Sequence, residues 1–179
     1  MQLFIEPFGA WSRRKIKEKK VNEECPDLIL LDIMMPGMDG FEVTRRLKDI
    51  FETRDIPIIL ITAYDIADYK VIGHEAGADE FLNKPIKAPE LKSRVKSLLH
   101  TKQYQDKLKL QKQTGNDDFS DNQEKTIDGE NDTSSVLIVF EDENHAESIK
   151  MFLHGQPYEV VVEKTAKNAI ALSNQRPID

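Results

Sequence analysis

Cysteine is almost absent from this 179-residue chain: Cys25 stands alone. That excludes a disulfide framework and a cysteine zinc site, and it fits a reducing cytoplasm. No run approaches the eighteen or so apolar residues that a membrane-spanning helix needs. Residues 1–11 hold only a short apolar cluster, with Glu6 inside it and no basic residue before it, unlike a secretory signal. The four histidines (His74, His100, His145 and His154) share no ligand spacing. Neither a phosphate-cradling Gly-rich loop nor a serine or cysteine triad pattern occurs. Positive charge is in deficit as well. Lys and Arg number 25 against 32 Asp and Glu, a net charge of -7, which argues against a nucleic-acid binder working by bulk electrostatics.

The negative charge is concentrated. Between residues 114 and 135 seven acids (Asp117, Asp118, Asp121, Glu124, Asp128, Glu130 and Asp132) face one base, Lys125. Phe119 and Ile127 are the isolated apolar residues of a stretch rich in Asn, Asp, Ser, Thr and Gly. Such a segment cannot bury enough surface to offset the entropy of ordering it, and it reads as a linker.

On either side of it, strands and helices alternate. Leu28-Ile29-Leu30-Leu31 and Ile58-Ile59-Leu60-Ile61 are short, continuous and branched, the pattern of parallel strands buried on both faces. A weaker strand is expected over 79–82. Phe41, Val43, Leu47 and Ile50 lie near helical spacing over 40–51, and a helix over 66–77 ends at a Gly stop signal. Pro89 falls in the first turn of a last helix carrying Leu91, Val95, Leu98 and Leu99, with nothing to break it before Gln113. Beyond the linker the pattern predicts a strand over 136–140, a helix over 144–153, a strand over 158–162 and a helix carrying Ala166, Ile170 and Leu172. Alternation of this kind gives βαβ units and a parallel sheet.

Three strand ends carry the chemistry. Asp32 follows a wholly apolar strand, at the carboxyl edge where open α/β sheets place their ligands. Thr62 ends the next strand and Lys84 the third. A carboxylate nucleophile, a hydrogen-bond donor and a cation on one edge suit phosphoryl chemistry. Over residues 24–99 the sequence resembles the CheY-like receiver domain of two-component response regulators. The resemblance implies that Asp32 is the phosphoacceptor, charged by a histidine kinase or phosphotransfer protein in a Mg²⁺-dependent step. It further implies that the backbone carbonyl of Met34 lies on the metal, that Thr62 bonds the phosphoryl group and that Lys84 pairs with it. Thr62 and Phe81 would form the switch, and Lys84-Pro85 would match the family's cis peptide.

One departure stands out. A receiver opens with a strand ending in two acids that help hold Mg²⁺, and nothing in residues 1–23, a basic segment, supplies it. The run from Val136 to Asn144 resembles that opening strand, with Glu141 and Asp142 as the acid pair in a register uncertain by one. The ending Pro177-Ile178-Asp179 resembles the approach to a second phosphoacceptor strand, so that residues 135–179 read as the N-terminal half of a second receiver, cut short about five residues before its own phosphoacceptor. The expected organisation is therefore a basic segment (1–23), a receiver portion with the phosphoacceptor (24–100), a helical extension and linker (101–134) and that half receiver (135–179).

Two architectures follow. One is a frame truncated at both ends from a tandem-receiver protein. In the other, 135–179 completes 28–99 as a permuted receiver, a doubly wound parallel α/β sheet of flavodoxin-like order 2-1-3-4-5. A coil over 100–134 spans roughly 30 Å, enough to join the halves. Left uncovered, half-sheets would expose strand edges and favour self-association. The resulting expectation is a cytoplasmic, non-enzymatic phosphorelay protein with no direct contact to nucleic acid or membrane. Its alternative is a phosphorylation-independent interaction module or an inactive fragment.

Overall fold

The computed structural model describes residues 26–63, 67–114, 133–167 and 170. The basic segment, the acidic linker over 115–132 and the Pro177-Ile178-Asp179 ending lie outside the described residues. The elements run β1 (Leu28–Asp32), α1 (Gly40–Asp49), β2 (Ile58–Thr62), α2 (Ala67–Glu75), β3 (Glu80–Asn83), α3 (Ala88–Thr114), β4 (Ser134–Val139), α4 (Glu143–Leu153) and β5 (Tyr158–Glu163). Among the described residues no helix is long and apolar enough to cross a membrane.

Every residue of β1 and β2 is buried, as their unbroken apolar runs require. Successive side chains point to opposite faces of a strand, so each run feeds two cores. Ile29, Leu31 and Ile33 pack with Phe41, Val43 and Leu47 of α1 and with Ala76 and Ala78. Leu28, Leu30, Ile59 and Ile61 pack with Leu91, Val95 and Leu99 of α3 and with Ala146, Ile149 and Leu153 of α4. Each fully buried Leu or Ile contributes about 1.5–3 kcal/mol relative to exposure.

The sheet is parallel throughout, in the order β3-β2-β1-β4-β5. Leu31 lies opposite Leu60 on one side and Val139 on the other. The C-terminal segment therefore completes the sheet begun by the first one. With β4 and β5 counted as the opening strands, the order is the flavodoxin-like 2-1-3-4-5. The edge of β1 that the sequence leaves open to a second chain is taken by β4 of the same chain.

The junction is polar and specific. Asp27 donates its backbone N–H to the carbonyl of Ser135 (2.9 Å), and its Oδ2 accepts the Ser135 backbone N–H (2.8 Å). Lys102 of α3 lies 3.5 Å from Asp27 Oδ1, and Gln103 donates to Ser134 Oγ at 3.2 Å. These contacts, with Lys109 donating to Asp55 Oδ2 at 2.8 Å, give the extension of α3 something to lean on. The helix runs to Thr114, in line with the unbroken stretch to Gln113, so the first part of the tether over 100–134 is helical rather than coil.

Candidate functional site

Asp32 ends β1 at the carboxyl edge of the sheet and is only 5% exposed. Thr62, buried at the end of β2, stands beside it, and Ile33 donates its N–H to the Ile61 carbonyl, so the two strand ends stay in register. β3 is the third strand over. The Lys84 backbone N–H donates to the Thr62 carbonyl at 2.7 Å, which pins the end of β3 to the end of β2. From there the Lys84 side chain reaches Asp32, its Nζ donating to Oδ2 at 2.7 Å. The Lys84-Pro85 peptide is cis. A carboxylate taken this far out of water is costly unless paired, and Lys84 supplies the pairing charge.

The second oxygen of Asp32 is engaged too. Oδ1 accepts the backbone N–H of Met34 at 3.2 Å, while the Met34 side chain is exposed. The loop that presents this amide is held at its far end by Asp39 and Gly40. Asp39 caps α1, accepting the Glu42 N–H at 2.8 Å, and Gly40 donates its N–H to the Ile33 carbonyl at 2.9 Å. A Cβ on Gly40 would lie 2.5 Å from the Asp32 carbonyl oxygen, so only glycine lets α1 start this close to the end of β1. The sequence pattern puts Gly40 at the start of a helix, but nothing local in it signals this close approach.

Phe81 lies on the α1–α2 side of the sheet, half-buried against that core, its ring edge-on to His74 with centroids 5.1 Å apart. Its neighbour across the gap is Gly73 of α2, where a Cβ would fall 2.3 Å from Phe81 Cζ. Gly73 thus provides the space for the inward ring, a second residue that the sequence did not single out. A cleft of about 350 Å³ opens beside Phe81 and Lys84, lined also by Lys70, Asn83, Pro85 and Arg94.

The opening-strand acids are placed differently from the other three groups. Glu141 is exposed. Asp142 caps α4: its Oδ1 accepts the backbone N–H groups of Asn144 (2.8 Å) and His145 (3.3 Å), and its Oδ2 lies 3.1 Å from His145 Nδ1. The backbone N–H groups of His145 and Asn144 hold the Asp142 carboxyl below its ordinary range. β4 ends at Val139, paired with Leu31, so the next residue, Phe140, follows β4 as Asp32 follows Leu31. Phe140 is fully buried, with Lys84 Nζ 5.1 Å from its ring centroid. Among the described residues no three acids, histidines or cysteines gather where they could hold a metal ion. Mg²⁺ requires about six oxygen ligands in near-octahedral array. A carboxylate already paired with Lys84, an apolar ring and an acid committed to a helix cap do not fit it.

Residues 9–96 match the family model described as the response regulator receiver domain. The response regulator PleD of Caulobacter vibrioides is 40% identical over 157 residues, which cover 87% of this chain and 34% of PleD. The phosphate regulon transcriptional regulatory protein PhoB of Pseudomonas aeruginosa is 51% identical over 74 residues, or 41% of this chain and 32% of PhoB. The chain thus spans about a third of the length of these curated relatives. Among solved structures, the signal receiver domain of a signal transduction histidine kinase from Syntrophus aciditrophicus is 45% identical, covering 42% of this chain and 58% of that one, with a TM-score of 0.40. The receiver domain of a Pseudomonas aeruginosa sensor histidine kinase, solved with magnesium in its active-site cleft, is 31% identical over 41% of this chain and 61% of its own, with a TM-score of 0.39. With the family model covering the strands that end in Asp32, Thr62 and Lys84, the chain belongs, through residues 9–96, to the response regulator receiver domain family.

Proposed function

We propose that Asp32 is the phosphoacceptor of this two-component receiver, taking its phosphoryl group from the phosphohistidine of a histidine kinase or phosphotransfer protein. The observation that carries the reading is the 2.7 Å contact between Lys84 Nζ and Asp32 Oδ2, at the end of a strand flanked by Thr62. A carboxylate oxygen of Asp32 attacks phosphorus, the P–N bond of the donor breaks, and the imidazole nitrogen leaves with the bonding pair and takes up a proton from water. Lys84 neutralises charge on the phosphoryl oxygens in the loose transition state, and the amide of Met34 and the hydroxyl of Thr62 offer donors to the product. Thr62 and Phe81 form the switch, with Gly73 setting how far inward the ring can lie. Receiver domains bind Mg²⁺ at this position, where the ion neutralises developing charge. Met34, Glu141 and Asp142 are the remaining family positions for it, and since the donors fit it poorly no step here runs through the ion.

Intact mass after incubation with a small-molecule phosphodonor tests the reading. The expected result is a gain of one phosphoryl group that Asp32→Asn abolishes. A folded wild-type sample that gains nothing overturns it. A second reading, a phosphorylation-independent interaction module, draws its support from Phe140, which follows Val139 as Asp32 follows Leu31 and offers no carboxylate there. Partner binding that is indifferent to Asp32→Asn is its signature.

A further inference from the structure

We infer that Phe140 makes Lys84, rather than a divalent ion, the counter-ion of Asp32. The inference deepens the reading of the same centre. Lys84 Nζ lies 2.7 Å from Asp32 Oδ2 and 5.1 Å from the centroid of the Phe140 ring, so the ammonium is shared between a carboxylate and an aromatic side chain. A cation within about 6 Å of a ring centroid is attracted to the negative face of the ring. A compact monovalent ammonium gains from that; a hard dication seeking oxygen gains no ligand from it.

Phe140 also seals its side of the centre. It is fully buried and packed in the same core as Leu28, Leu30 and Ile138, so it contributes neither an oxygen nor room for water. The acids that follow do not compensate. Asp142 is committed to the first turn of α4, and Glu141 turns to solvent. A dication approaching Asp32 would meet a carboxylate whose charge Lys84 already balances, with no second buried carboxylate among the described residues to offset the repulsion of the ammonium. Phe140 is therefore the residue that sets the ion preference of this site.

Titration of the unphosphorylated full chain with MgCl₂, read by calorimetry and by backbone amide shifts of Asp32 and Met34, tests this independently of whether Asp32 can be phosphorylated. Wild type is expected to show no saturable change up to about 20 mM, since one paired carboxylate does not meet the ligand demand of the ion. Phe140→Asp supplies the missing oxygen and is expected to bind roughly tenfold tighter or better. Phe140→Ala, which removes the ring without adding a donor, is expected to bind no better than wild type. Because a carboxylate at a core position can unfold the chain, the wild-type titration decides on its own if Phe140→Asp does not fold. Saturable wild-type binding at low millimolar Mg²⁺ with shifts at Asp32 and Met34, or a folded Phe140→Asp no tighter than wild type, overturns the inference.

Discussion

Asp27 and Ser135, 108 positions apart in the sequence, hold each other by two backbone-directed hydrogen bonds of 2.9 and 2.8 Å at the point where β1 and β4 begin to pair. The carboxylate of Asp27 also accepts from Ser135 Oγ and attracts Lys102, so one side chain ties β1, β4 and α3 together. Closing a sheet between segments so distant carries a loop entropy that local contacts must offset. Asp27 sits where that closure is decided.

Asp27→Ala is therefore expected to lower stability by about 1–3 kcal/mol, because it strands the half-buried Ser135 N–H and removes a partner of Lys102. Replacing the Ser135 hydroxyl with Ser135→Ala should cost less, since the backbone exchange survives. Urea unfolding of the two variants checks the ordering. Equal midpoints for wild type and Asp27→Ala would show the junction to be incidental.

Gly73 and Phe81 form the second test. A methyl group on Gly73 would overlap the Phe81 ring at 2.3 and 2.5 Å, and Leu60 Cδ1 stands 3.1 Å away. Overpacking of this kind typically costs about 1–3 kcal/mol. Gly73→Ala is expected to destabilise the protein by that order and to swing the ring outward, changing the ring-current shifts of His74. The double variant Gly73→Ala with Phe81→Ala should be less destabilised than the sum of its parts, because the clash disappears with the ring.

Lys84 offers a test that needs no phosphodonor. Its removal as Lys84→Met leaves a carboxylate 5% exposed that keeps the Met34 amide but has lost its cation. Breaking one side of a buried pair typically costs about 3–5 kcal/mol, and the partial exposure of Lys84 puts the expected loss at the lower end or below. Adding Asp32→Asn to Lys84→Met should restore much of the loss, since the uncompensated charge is gone. Denaturant midpoints of the two single variants and the double variant measure it.

Much of this was legible in the sequence because the signals were periodic or local. The unbroken branched runs at 28–31 and 58–61 could only be satisfied between two layers, and both are buried throughout. The Asp, Thr and Lys at successive strand ends needed only the parallel order of β1, β2 and β3 to meet at one edge. Strand limits shifted by a residue or two: β4 begins at Ser134 because Asp27 draws the Ser135 backbone into the ladder, and ends at Val139 with its partner Leu31. The roles of Gly40, Gly73 and Phe140 were not legible. Each depends on what approaches it from a distant element: the Asp32 carbonyl, the Phe81 ring and the Lys84 ammonium. The extent of α3 was half legible, since the absence of Gly and Pro from Glu90 to Thr114 permits it while the anchoring at Asp27 and Asp55 is tertiary.

That anchoring gives the extension of α3 a dependence on pH at both extremes. The hydrogen bond from Lys109 holds the Asp55 carboxyl below its usual value of 3.8, with the charge of Lys109 adding to it. A carboxyl with a lowered folded pKa contributes stability that is present above its unfolded value and lost as pH falls through the folded one. At the other extreme, burial pulls the Lys102 ammonium down, but Asp106 first and Asp27 next outweigh it and raise it above 10.5. Its contribution is present below the unfolded value and lost as pH rises through the raised one. Amide exchange in the part of α3 beyond Thr101 is therefore expected to quicken, relative to its intrinsic rate, below pH 3.8 and again above pH 10.5, with a protected plateau between. The acid limb should shrink with salt, because Asp55 and Lys109 are each 51% exposed and screened, and Asp55→Asn should remove it. Lys102→Met should remove the alkaline limb and leave the acid one. Protection that does not change across the acid range in wild type would show that Asp55 does not hold the helix.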